Sequence, residues 1–213
     1  IIKANGESIS GAFNITNAGN AKNEFNISAG TFTSEVPNDY CADGFKVKAN
    51  ADGTTYGVVE AATAAAAQIG ETTYETLQAA IDAATAGDIV TLLADTTEDV
   101  TINKNITLDL GGKTLTNTNA DKATISVSNG ATATVKNDSV MGGTSYYNIE
   151  VTKGSNANLT LEDVTATAGN NGSSMIDNWG TLTINSGTYT GGLNTVKSEP
   201  SSTLTINGGD FST

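Results

Sequence analysis

Histidine and arginine are missing from this chain of 213 residues, and all ten of its basic side chains are lysines. Against them stand 23 acids, for a formal charge of −13. A surface so acidic repels phosphate backbones and anionic lipid headgroups, which argues against nucleic acid and membrane surfaces as partners. Cys41 is the single cysteine, so no intrachain disulfide framework exists. Its expected role is that of a small buried apolar residue. No apolar run approaches the length of a membrane span and no signal peptide is visible, so direct membrane insertion is not expected. Aromatic residues make up 6% of the chain, too few for one compact globule built on a large aromatic core. What is abundant is Gly, Ala, Asn, Ser and Thr, a composition suited to many short strands joined by tight turns.

The same short string recurs. Leu204-Thr205-Ile206, Leu182-Thr183-Ile184, Leu159-Thr160-Leu161, Ala133-Thr134-Val135 and Ile106-Thr107-Leu108 share an apolar-Thr-apolar pattern. Their threonines are separated by 22, 23, 26 and 27 residues. Strict alternation marks a half-buried strand rather than a helix, and a period of this size marks a solenoid. Further strands are expected at 125–127, 149–151, 175–176 and 195–196, with turns at Gly130, Gly154 and Gly180. The expected fold class is all-β: a right-handed parallel β-helix, or β-solenoid, whose coils stack about 4.8 Å apart. A hexapeptide helix, calcium-binding nonapeptide repeats and a propeller are each excluded by the period or by the missing motif.

Alternation also assigns faces. Ile106, Ala133, Leu159, Leu182 and Leu204 form one inward column, and Leu108, Val135, Leu161, Ile184 and Ile206 a second. Thr107, Thr134, Thr160, Thr183 and Thr205 point outward. Beside them run Asp109, Lys136, Glu162, Asn185 and Asn207, in which Asp109, Lys136 and Glu162 form a candidate salt ladder that resists register slip.

The motif Ile184-x-x-Gly187-x-Tyr189 returns as Ile206-x-x-Gly209-x-Phe211, as Ile27-x-x-Gly30-x-Phe32, and in shortened form as Ile9-x-Gly11-x-Phe13. Residues 1–34 therefore read as the end of a preceding β-helix module, and the chain as a segment of something longer, as its start at Ile1 also suggests. Turn signals at Pro37, Asp43-Gly44 and Asp52-Gly53 flank two short strands, so 35–69 is expected to hold a hairpin-like joint and a linker. The module proper is expected over 70–213, opening on an amphipathic helix at about 73–86. Thr72 and Glu75 form a capping box, Tyr74, Leu77 and Ile81 line one face, and Gly87 is the stop. Such a helix makes a lid for the open first coil.

The run "TYETLQAAIDAATAGDIVTLLADTTEDVTINKNITLDLGGKTLT" resembles the start of pectate-lyase-like right-handed β-helix modules in surface proteins of gut Firmicutes. "GTFTSEVPNDYCADGFKVKANADGTTYGV" resembles the connector between such modules. The resemblance implies an adhesin-like surface protein; related solenoids also serve as phage fibres and tailspikes. It further implies that polysaccharide-cleaving relatives use Arg with acid-bound Ca²⁺, or clustered Asp with His. Neither set can be placed on a chain without Arg or His.

No catalytic residues are therefore expected, and no metal or cofactor. Asp109 and Glu162 are the nearest carboxylate pair, but Lys136 stands between them. The acids of 95–99 and 161–164 lie on separate turns, whereas Ca²⁺ needs six to eight converging oxygens. An outward binding face is expected at Thr107, Thr134, Thr160, Thr183, Thr205 and Trp179. Paired T-x-T columns also raise an ice-binding surface, which the charged column beside them would spoil. The functional expectation is a non-enzymatic structural or adhesive repeat of a long extracellular, cell-surface fibre or stalk. Its partners would be like modules or subunits, and host or microbial glycans. The alternative is a virion fibre or capsid decoration protein; a polysaccharide-degrading enzyme ranks below both.

Overall fold

The computed structural model describes residues 27–60, 64–142, 147–169 and 172–212, and it divides into two compact units, Ile1–Thr63 and Ala64–Thr213. Expectations for residues 1–26, including the Ile9 to Phe13 copy, lie outside the described residues.

In the first unit, Phe45–Ala49 and Tyr56–Glu60 pair antiparallel, and Thr31–Phe32 adds to the free edge of the second strand. Phe32, Val36 and Val58 are buried together, with Ile27, Tyr40, Cys41, Phe45 and Val47 packed half-buried around them. Cys41 is thus less covered than expected, and its desolvation pushes the thiol pKa up. The hairpin loop closes on Asp52, whose carboxylate accepts from the Thr54 and Thr55 N–H groups and the Thr55 hydroxyl.

The second unit is a β-solenoid of about five turns with three faces. The first face stacks Ile89–Leu92, Thr107–Asp109, the start of Thr132–Met141, the start of Asn158–Thr167, Thr181–Ile184 and Thr203–Ile206, all parallel. The second stacks Thr96–Thr97, Thr114–Thr116, residues 139–141, residues 164–167, Gly187–Thr190 and Asp210–Ser212. The third stacks Val100–Ile102, Ile125–Val127, Ile149–Val151, Ile176–Asn178 and Val196–Ser198. From the second coil onward the corner between the first two faces has a backbone with positive φ. It falls at Gly111 (60°), Asn137 (62°), Asp163 (50°), Gly187 (123°) and Gly209 (120°), the residue types that adopt this region at least cost.

The repeat alignment and the register agree. Thr107 lies opposite Thr134, Thr134 opposite Thr160, Thr160 opposite Thr183, and Thr183 opposite Thr205. Both inward columns are buried from Ile106 and Leu108 through Leu182 and Ile184. They open at the last coil, where Leu204 is half-buried and Ile206 is 48% exposed; among the described residues Thr203–Ile206 is the last strand of this face. Further columns line the other faces: Val100, Ile125, Ile149, Ile176 and Val196, with Ile102, Val127 and Val151 beside them, on the third, and Leu115, Val140, Ala166 and Tyr189 on the second. The Tyr189 ring stacks on Phe211 at 5.1 Å.

The lid differs from the expected one. The helix runs from Leu77 to Ala83, and its N-cap is Thr76, whose hydroxyl accepts from the Ala79 N–H (3.1 Å). Thr72 cannot cap, because Thr72–Tyr74 is a strand paired with Ala67–Ile69, itself paired with residues 90–92. Ala67–Ile69, expected in the linker, is thereby part of the solenoid unit. The Leu77 and Gln78 N–H groups donate to the two oxygens of Glu98 (2.9 and 3.1 Å). Lys104 Nζ donates to the carbonyls of Asp82 and Ala84 at the other end. Both helix ends are therefore satisfied by side chains of the coils it covers. Leu77, Ala80 and Ile81 are buried in the solenoid core, as a lid requires.

Three measurements check this account. Leu161→Ala removes a buried side chain flanked by stacked neighbours and is expected to lower unfolding free energy by about 2–5 kcal/mol in urea titrations. Thr160→Ala, beside it but facing outward, should change it by no more than roughly 0.5 kcal/mol. Glu98→Ala is expected to lose about 0.5–2 kcal/mol, the scale of a lost helix cap.

Candidate functional site

Two outward surfaces carry the polar chemistry of the solenoid. On the first face the Thr107, Thr134, Thr160, Thr183 and Thr205 column is continuous, and a second column of Thr132, Asn158, Thr181 and Thr203 runs parallel to it. Ile89, more than half exposed, occupies the position before Thr107. Next to the threonines, Lys136 Nζ lies 3.5 Å from Asp109 Oδ2. Glu162 Oε1 accepts from Asn185 Nδ2 (3.2 Å), and Asn185 Oδ1 accepts from Asn207 Nδ2 (2.8 Å). Asp109 also accepts from Asn137 Nδ2 and the Gly111 N–H, both at 3.0 Å. Burial disfavours its charge, yet these donors and Lys136 outweigh it and hold the carboxyl below its ordinary range.

The remaining acids weighed as metal ligands have structural partners. Asp95 accepts from the Thr114 N–H (2.9 Å), Asp99 pairs with Lys122 (2.9 Å), and Asp163 accepts from Ser186 Oγ (2.7 Å). Among the described residues no three acidic or cysteine side chains converge as a metal site requires.

Trp179 does not join the Thr columns on one surface. It sits at the corner after Ile176–Asn178, half-buried, with Nε1 donating to Asp177 Oδ2 (2.8 Å) and the Lys153 ammonium 4.4 Å from its ring centroid. One cation from the preceding corner therefore already occupies its π system.

The third face holds a group that the repeat alignment passes over. Its outward column reads Thr101, Ser126, Glu150, Asp177 and Lys197, in register on successive coils. Asp177 is only 1% exposed although it points away from the core, and its Oδ1 has no hydrogen-bond donor. Lys197 pairs with Glu199, two residues further on. Desolvation, then the repulsion of Asp177, pushes the Glu150 carboxyl pKa up. Asp177 is pushed up by desolvation, which outweighs the Trp179 hydrogen bond, and by the nearby Glu199. Strand alternation applied to "IEV", "MIDN" and "TVKSE" would have found this column, but the polar positions there change type from coil to coil.

No family model, curated protein or solved structure matches this chain. The β-solenoid therefore stands on coil register and burial alone.

Lys136→Met tests the first face. A carboxyl held below its ordinary range adds stability above the unfolded-state pKa, and that contribution is lost as pH falls through the folded value. The substitution is expected to cost about 0.2–1 kcal/mol near neutral pH, with the difference vanishing in acid, as read from urea midpoints. Asp52 provides a second check. Its hydrogen bonds from Thr55 and Thr54 lower its carboxyl to about 2, and carbon-detected NMR titration should place its midpoint there.

Proposed function

We propose that this chain is a non-enzymatic structural repeat of a long extracellular fibre or stalk, of the kind its resemblance to surface-protein β-helix modules implies. The observation that carries the reading is the uninterrupted stack of aliphatic columns, closed at one end by the helix and presenting Ile206 and Phe211 at the other. A rod of this construction resists bending because every coil is hydrogen-bonded to the next along its axis. Like modules or subunits are its natural neighbours, since an exposed last coil is matched by another coil of the same pattern. The uncharged Thr columns are the surface it would present to host or microbial glycans. Its acid surplus keeps such a rod soluble.

Recovery of the native protein with an antibody against residues 64–213, followed by intact mass and peptide mapping, tests the reading. Peptides from further joints resembling residues 35–60 and further lids resembling 70–87 are expected. A native mass equal to these 213 residues would overturn it.

A further inference from the structure

Asp177 combines three features that do not fit an ordinary surface carboxylate. It belongs to an outward column, yet it is buried. One of its oxygens accepts from Trp179 Nε1, while the other is enclosed without any donor. Its in-register neighbour on the preceding coil is another acid, Glu150, and the in-register lysine on the following coil is engaged with Glu199. An ionised Asp177 is a buried charge facing like charges, which disfavours the ionised form.

We propose that Asp177 holds a proton more readily in the native fold than an exposed carboxyl does and shares it with Glu199, making the third face a proton-binding site that ties the last two of its coils together. Strand register puts Lys197 opposite Asp177, and Lys197 pairs with Glu199, which brings the two carboxyls to the same place. Two carboxylates in that position are both acceptors, whereas one proton turns the contact into a short, charge-assisted bond. A continuous chain then follows: Lys197 to Glu199, Glu199 to the Asp177 hydroxyl, the other Asp177 oxygen to Trp179, and the Trp179 ring under Lys153. Glu199 is fixed in this position because its own N–H donates to the Asn178 carbonyl (2.9 Å). The titratable groups around Asp177 are Glu150 and Tyr147 from the preceding coil, Lys197 and Glu199 from the following one, and Lys153 across the indole. Burial and the surrounding acids raise the carboxyl pKa of both Asp177 and Glu150.

The sign is opposite to that of the first face. A carboxyl raised above its unfolded value opposes folding when ionised, and this opposition disappears as pH falls through the raised value. The third face thus gains stability on acidification, where Asp109 and Asp99 lose it.

Asparagine mimics the protonated acid, since its carbonyl can accept from Trp179 and its amide can donate to Glu199. Urea midpoints of the full chain should therefore be higher for Asp177→Asn than for the native protein near neutral pH. The gap should close as pH falls and the native Asp177 takes up its proton. Asp109→Asn, measured in parallel, should be destabilising near neutral pH. A lowered midpoint for Asp177→Asn near neutral pH would overturn the proposal. A carbon-detected NMR titration of the native chain is independent of any variant. An Asp177 carboxyl midpoint above the ordinary value of about 3.9 supports the proposal, and one at or below that value sinks it.

Discussion

Parallel stacking of coils is the constraint on which everything else in the solenoid depends. Each short strand takes its backbone partners from the coil before and the coil after, so a residue's environment is set by its counterparts one period away. Most positions that are apolar in one coil are apolar in the next, and the corner between the first two faces repeats its positive φ in five successive coils. The variable spacing of the repeat, from 22 to 27 residues, is tolerated because the extra residues lie in loops between faces. The strands themselves keep one register throughout.

Stacking creates a problem at the ends, and the first coil solves it with local chemistry. The helix that covers it is only seven residues long, too short to be stable by itself. It persists because Leu77, Ala80 and Ile81 are buried in the core and because Glu98 and Lys104 satisfy its two ends. The acidic run that contains Glu98 reads in isolation as a solvated turn or a loose metal site. In the fold it is the partner that completes the lid.

The outward faces show how one scaffold places carboxylates in contrasting environments. Asp109 has a lysine, an amide and a backbone N–H around it, and its charge is favoured. Asp177, on a neighbouring face, has an indole on one oxygen, no donor on the other, and acids beside it. Both alternate outward from a strand of the same solenoid. The difference lies in which residue happens to occupy the same position one coil away.

The sequence by itself determined the period, the alternation and hence the inward columns, since apolar-Thr-apolar at regular intervals has no other economical folding solution. It also marked Thr107 through Thr205 as one line, because identical residues one period apart must stack. Tertiary structure alone decided the features that depend on contacts between different kinds of segment. Thr76 rather than Thr72 caps the helix because residues 72–74 are held in a strand by Ala67–Ile69, a pairing no local pattern signals. Trp179 is drawn to Asp177 and Lys153 rather than to the Thr columns because the corner turns it there. The burial of Asp177 was hidden for the same reason: alternation says that a side chain points outward, while what covers it afterwards is set by neighbours from other coils.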